Sequence, residues 1–480
     1  MNDYSISTSL NKSRVFILQK SEIEKRLDPF YYIPELIELE KRVLAKKPKK
    51  LRDYVLKVAS GATPKTTESE KYYTDKENGI PFLRVQNLSP TGILEYDDCK
   101  YINEETHSGM LKRSQVSEGD LLVKITGVGR MAVASVAPDG FEGNINQHVC
   151  VIKTGRKEIS ETLAAFLNSD IGEKLASRRS TGGTRPALDY PALLSIPIIE
   201  DKRILEITNR VIIKKQINDK EAEKLLSTIN EYILNELGII LPIIPDNTLK
   251  NRTYFTYFKN ISGGRLDPRY YREYFIKFYE NIGKKYPLKK LNEITQYIGS
   301  GSTPKAGGEA YTDELNGVPF IRITNLKKDT ISLSDVLFIK REIHETTLKR
   351  TQLNAGELLI SMAGTIGLTV LVPEFLKEGN INQALARIVL LEGVNNYYIK
   401  EILNSIIGKT QTDRLSRPSV QANINFDEIG SLNIPVPPLE KQKEIAEHIT
   451  AIREQAQQLK DKTNEALKLA SEEIENILLN

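Results

Sequence analysis

Two long stretches of the chain place apolar residues at alternating spacings of four and three. The second is the clearer: Ile445, Ile449, Ile452, Ala456, Leu459, Thr463, Ala466 and Ala470 form a heptad stripe. Pro437 and Pro438 stand just before it, where a helix starts well. The first runs from about residue 201 to 237. There Val211, Ala222, Leu225, Ile229 and Tyr232 suit such a stripe, and Lys215 and Asn218 interrupt it. Gly238 is placed to end that helix, and Pro242 and Pro245 mark a linker. The two helices are expected to pack antiparallel on each other.

Other segments read as strands. LRVQNL at 83–88 and IRITNL at 321–326 alternate, with Leu83 and Val85 facing one way and Arg84 and Gln86 the other. Ile321 and Ile323 mirror this, with Arg322 and Thr324 opposite. GDLLVKITG (119–127) and GELLISMAG (356–364) add apolar runs ending in glycine. IPII (196–199) and IPVPP (434–438) then precede the two long helices.

The pattern occurs twice because the chain is a duplication. RLDPFYY at 26–32 recurs as RLDPRYY at 265–271, SGATPK at 60–65 as SGSTPK at 300–305, and YTDKENGIPFLRVQNL from 73 as YTDELNGVPFIRITNL from 311. EGNINQ from 142 recurs from 378, and LNS from 167 recurs from 403. Ordered matches at a near-constant spacing of about 240 residues mark two copies of one unit. Solenoid repeats are far shorter, so each copy is a domain. The expected fold is α/β (α+β). Two homologous mixed domains are separated by two long antiparallel helices that form a coiled-coil-like, pseudo-two-fold spacer. The expected bounds are 1–200 for the first domain, 201–246 for the central helix and linker, 247–437 for the second domain and 438–480 for the last helix.

Composition narrows the class. The 480 residues are 40% hydrophobic and 27% charged, with a net charge of +4, so a mildly basic globular protein is expected rather than a disordered one. Cys99 and Cys150 are too few for a disulfide framework. The N-terminus lacks a basic stretch followed by an apolar one. The apolar run near 237–245 is broken by Gly238 and Pro242 and is too short for a bilayer. A soluble, cytoplasmic protein is expected.

Duplicated domains on a helical spacer suit the reading of two DNA half-sites, which lie about 34 Å, or a multiple of it, apart. The copies differ in their loops. Gly127-Val128-Gly129-Arg130 faces Gly364-Thr365-Ile366-Gly367, and SRRSTGGTRPAL (177–188) faces DRLSRPSVQANI (413–424). A bipartite, asymmetric target is predicted.

These motifs resemble those of the specificity (S) subunits of type I restriction-modification systems. The GxTPK turn, the NGxPFxRxxNL segment, GDLL/GELL, GNINQ and the junction to PPLEKQKEI recur in both halves and cover nearly the whole chain. The first junction departs from the pattern, with IPIIEDKRI in place of a proline pair. The resemblance implies two target recognition domains and double-stranded DNA as ligand. It also implies two modification subunits, which methylate adenine with S-adenosylmethionine, and restriction subunits that add ATP- and Mg-dependent translocation and cleavage. No cofactor is expected in this chain, which is read as non-catalytic.

The chain's own chemistry supports that expectation. DPFY (28–31) and DPRY (267–270) look like the DPPY motif of adenine methyltransferases but lack its second proline, and no glycine-rich cofactor loop lies near. They are read as structural turns. GKT at 408–410 lacks the leading glycine of a phosphate loop, since position 403 is Leu403. His107, His148, His344 and His448 show no metal-ligand spacing. His107 and His344 occupy equivalent places, which suggests a shared hydrogen-bonding role. Two other classes stay open: a stand-alone methyltransferase or nuclease, and a scaffold that binds no DNA.

Base edges are read by donors and acceptors, phosphates by Lys and Arg. The candidates in the first copy are Lys65, Arg84, Gln86, Lys112, Arg113, Lys124, Arg130, Arg178, Arg179, Thr181 and Arg185. In the second they are Lys305, Arg322, Thr324, Lys349, Arg350, Arg414, Arg417, Ser419 and Gln421. The differing loops, 178–185 and 414–421, are the better candidates for base contacts. Gly127, Gly364, Asn144 and Asn380 are expected to shape turns.

Overall fold

The computed structural model describes residues 11, 15–24, 26–246, 248–253, 255, 257, 261, 265, 267–304, 309–416 and 423–480. Contacts divide the chain into unit 1, Met1–Asp219 with Lys460–Asn480, and unit 2, Lys220–Leu459.

Unit 1 has strands β1 (Lys49–Lys50), β2 (Lys57–Ser60), β3 (Tyr73–Thr74), β4 (Ile80–Leu83), β5 (Lys100–Ile102), β6 (Gln115–Ser117), β7 (Leu121–Lys124), β8 (Ala134–Val136), β9 (Glu142–Ile145), β10 (Val149–Lys153) and β11 (Pro197–Ile198). One sheet has the order β3-β5-β4-β9-β6, in which only β4 and β9 are parallel. A second, β2-β10-β7-β8, is antiparallel throughout, and β1 pairs with β11.

Unit 2 repeats the plan with β12 (Leu288–Lys290), β13 (Thr295–Ser300), β14 (Tyr311–Thr312), β15 (Gly317–Ile321), β16 (Leu337–Lys340), β17 (Leu358–Ser361), β18 (Thr369–Leu371), β19 (Asn380–Ile381), β20 (Leu385–Leu390) and β21 (Asn433–Pro435). Its sheets are β13-β20-β17-β18, β14-β16-β15-β19 and β12-β21, and β15 runs parallel to β19.

The apolar runs become the buried central strands. Every residue of β7 and of β17 is buried, because helices cover one face and the neighbouring sheet the other. In unit 1 helix Lys157–Asn168 lies against β8, and the repeated LNS motif explains how it is held. The Asn168 amide imitates a strand: Oδ1 accepts from Ala134 N at 2.9 Å and Nδ2 donates to Ala134 O at 2.7 Å. Asn404 does the same with Thr369, at 3.0 and 2.6 Å. The following serine, Ser169 or Ser405, caps the next helix by accepting from Gly172 N or Ile407 N.

The long helices span Lys202–Leu237 and Leu439–Leu479. Within unit 1 their paired segments are antiparallel: Arg210 meets Glu473 at 2.7 Å, and Asn218 Nδ2 donates to Thr463 Oγ1 at 2.9 Å. Ile204, Ile207 and Val211 share a core with Ala470, Ile474 and Leu478. Within unit 2, Lys441 pairs with Glu236 at 2.6 Å and the Tyr232 ring stacks on His448 with centroids 4.0 Å apart. Ile445 and Ile449 are fully buried there with Ile229 and Ile233. Gly238 ends the first helix in a left-handed conformation, φ 63°, with Ile239 N donating back to Leu234 O at 2.8 Å.

Two strand expectations need correction. β4 stops at Leu83 and β15 at Ile321, so Arg84–Leu88 and Arg322–Leu326 are not strand. The asparagine of each NL pair turns the chain. Asn87 Oδ1 accepts from Arg84 N at 2.8 Å and Asn325 Oδ1 from Arg322 N at 2.9 Å, closing a 3-10 turn. Asn144 and Asn380 are buried strand residues rather than turn formers. Each amide bonds a histidine, His107 Nδ1 in unit 1 and His344 Nδ1 in unit 2, and donates onward to Leu111 O or Leu348 O. That is the shared role expected of the two histidines.

Candidate nucleic-acid interface

In unit 1 the chain leaves the parallel pair β4 and β9 at one end, and the recurring motifs meet there. Asn146 N donates to Leu83 O at 3.0 Å, which places Arg84 beside Gln147 and His148. The backbone of Gly61 lies so close that a Cβ would collide with the Ile145 carbonyl, so only glycine fits. Two residues on, the Thr63 hydroxyl donates to Gln147 Oε1. The SGATPK and EGNINQ motifs are therefore two sides of one junction.

Unit 2 has the same junction. Asn382 N donates to Ile321 O at 3.2 Å, a Cβ on Gly301 would strike the Ile381 carbonyl, and Thr303 donates to Gln383 Oε1. Arg322 stands where Arg84 does. Among the described residues, the buried side-chain nitrogens or oxygens without a hydrogen-bond partner are Arg84 Nε and Arg322 Nε. Each unit thus holds a half-buried guanidinium with an unused donor beside an exposed threonine–glutamine pair.

The differing loops border these rims. In unit 1, Gly127 N donates to Pro186 O at 3.0 Å and Leu188 N to Ile125 O at 2.8 Å. Arg185 Nη2 lies 3.0 Å from His148 Nε2, and Gln147 Nε2 lies 3.3 Å from the same nitrogen. Burial and the Arg185 charge hold the His148 ring below the ordinary imidazole value, which keeps Nε2 an acceptor. In unit 2, Ile424 N donates to Met362 O at 3.0 Å, and Ala384 occupies the place of His148.

Several candidates are employed in holding the fold. Arg178 is buried and pairs with Glu40; Arg179 pairs with the other Glu40 oxygen. Arg178 also lies over the Tyr31 ring, 4.1 Å from its centroid, and donates to Tyr31 O at 2.9 Å. Arg414 repeats this on Tyr270, 4.0 Å over the ring and 3.0 Å from its carbonyl. Within the repeated RLDP motif Arg26 grips Asp28 through two bonds of 2.8 Å, so DPFY is a structural turn tied to the helix that follows LNS. Lys124 is buried with its ammonium donating to Val128 O and Arg130 O, and burial lowers its pKa. Arg130 is spent on Asp170, Asn168 O and Ser169 O. These five, Lys124, Arg130, Arg178, Arg179 and Arg414, leave the candidate set.

Sequence comparison bears on this arrangement directly. The profile of the family described as "Type I restriction modification DNA specificity domain" matches residues 284–469. That stretch is similar to the specificity subunits of type I restriction-modification systems. The putative type I restriction enzyme MjaX specificity subunit of Methanocaldococcus jannaschii is 27% identical over 187 residues, 37% of this chain and 42% of that one. The EcoBI specificity subunit of Escherichia coli is 23% identical over 167 residues, 35% of each chain. The matches thus span less than half of either relative's length. Among solved structures, the HsdS subunit from Thermoanaerobacter tengcongensis aligns with 14% identity and a TM-score of 0.34, over 90% of this chain and 96% of that one. The type I system S subunit from M. genitalium aligns with 11% identity and a TM-score of 0.38, over 90% and 94%.

The family profile lies over the second copy of the repeat from residue 284 onward, and the first copy shares its glycine collision, Thr–Gln pair and unpartnered arginine Nε, although Arg322 Nη2 also donates to Asp335 O at 2.8 Å. Of the remaining candidates, Arg84, Gln86, Arg322 and Thr324 sit in the turns after β4 and β15, and Arg185 joins the first rim directly. Lys65 and Thr181 are exposed nearby in sequence; Lys112, Arg113, Lys349 and Arg350 are exposed in equivalent short turns. Lys305, Arg417, Ser419 and Gln421 lie outside the described residues. Sequence reasoning missed Thr63, Gln147 and His148, with Thr303 and Gln383. The available signal was duplication itself: the threonine and the glutamine belong to two recurring motifs yet carry no charge.

Proposed function

We propose that this chain is the DNA-reading subunit of a type I restriction-modification assembly. Each unit takes one half of a bipartite, asymmetric target in double-stranded DNA. The observation that carries the reading is the pair of matching polar rims, Arg84–Thr63–Gln147 and Arg322–Thr303–Gln383, each bordered by a different loop. Like rims suit the uniform phosphate backbone, and unlike loops suit different bases. The chain itself supplies recognition. Adenine methylation belongs to two modification subunits using S-adenosylmethionine, and ATP- and Mg-dependent cleavage to restriction subunits. Among the described residues no helix is long and apolar enough to cross a membrane, which accords with a place in the cytoplasm.

Methylome sequencing of a strain expressing the chain with its modification partner tests this. A methylated motif of two unlike half-sites is the expected result; a contiguous or palindromic motif would overturn the two-reader scheme. Filter binding of the assembled complex should weaken steeply with salt, as phosphate contacts release counterions. A complex without DNA affinity would favour a scaffold.

A further inference from the structure

The two rims differ at one built feature. In unit 1 the backbone of His148 is pinned at both ends: its N–H donates to Asn146 Oδ1 at 3.1 Å, and its carbonyl accepts from Ile125 N at 3.0 Å. The main chain that carries the ring is therefore fixed relative to the strands. Arg185 comes from a loop whose base is fixed by Thr181–Ala187 and Gly127–Pro186 backbone bonds, and its side chain is exposed. The 3.0 Å contact to His148 Nε2 holds the guanidinium from behind. In the second copy Ala384 stands at the histidine position, and Gln421, outside the described residues, falls at the arginine position in the repeat alignment.

We propose that His148 is a positioning residue that aims Arg185 at a guanine in the half-site read by unit 1, and that unit 2 has no counterpart. The inference rests on the DNA-reading function proposed above. An arginine fork matches guanine N7 and O6, and a mobile arginine discriminates less well than one held in place. His148 holds Arg185 only as a neutral acceptor. The charged group acting on the ring is Arg185; the other polar partner is the neutral Gln147 amide. Protonation at Nε2 removes the lone pair and sets two cations side by side. Discrimination at that guanine is thus present at neutral pH and is lost as pH falls through the depressed His148 value.

The experiment uses the complex assembled with its modification partner and duplexes in which each half-site base is replaced in turn. Arg185→Ala and His148→Ala should each reduce discrimination at one guanine of one half-site about tenfold, leaving the other half-site unchanged. His148→Gln keeps, at about the reach of Nε2, an acceptor that does not titrate. It should restore discrimination and flatten its decline between pH 7 and pH 5. Equal loss on every sequence would make Arg185 a phosphate contact and end the proposal, as would an acid decline that survives in His148→Gln. If the unaltered complex binds no DNA, the parent reading fails instead. Circular dichroism of each variant separates misfolding from loss of aim.

Discussion

At the scale of single residues, most of what the duplication repeats is structural necessity. Gly61 and Gly301 recur because a carbonyl occupies the space of a side chain. Gly61→Ala should loosen β4 and β9 while β15 and β19 stay protected, and Gly301→Ala should do the reverse; hydrogen exchange read by mass spectrometry distinguishes the two. Glu40 balances two buried guanidiniums. Glu40→Gln leaves them uncompensated and should cost unit 1 about 3 kcal/mol in chemical denaturation. Neither role was legible beforehand. Arg178 reads as a solvent-facing cation in a basic loop, and its carboxylate lies 138 residues away in the chain. Asn144 reads as a turn former until its partner, the His107 ring, is placed behind it. Local pattern reports what a residue can do; a distant partner decides what it does.

At the scale of elements, the outcome follows the range of the forces involved. The heptad stripe of the last helix was legible because its period is set by the helix itself. Ile445, Ile449, Ala456, Thr463 and Ala470 are all buried. The interruption at Asn218 has a local answer too, since its amide meets Thr463 across the helix pair. LRVQNL misled because alternation continues past the point where Asn87 folds back on Arg84 and ends the strand. That turn takes Arg84 out of the sheet. Ile449→Ala removes a fully buried side chain between the paired helix segments of unit 2. It should destabilise that unit by about 2–5 kcal/mol, read as a shift in its denaturant midpoint.

At the scale of the whole molecule, the decisive property is that the unit boundary falls inside both long helices, between Asp219 and Lys220 and between Leu459 and Lys460. Each unit therefore packs one segment of each helix, and neither helix belongs to one domain alone. The expected bounds had given the helices regions of their own. A helix rises about 1.5 Å per residue, so helices of 36 and 41 residues are about 54 and 61 Å long. If the proposed reading holds, these helices set the spacing between half-sites, and that idea can be isolated from base recognition. Seven residues inserted in both helices, after Asp219 and after Leu459, preserve the heptad register and lengthen each by about 10 Å. At about 3.4 Å per base pair the methylated motif should gain about three unspecified pairs in its spacer while both half-sites keep their sequences. Methylome sequencing reads both quantities at once. Unchanged half-sites with an unchanged spacer would show that the helices bind the units without measuring DNA, because the insertion alters neither rim.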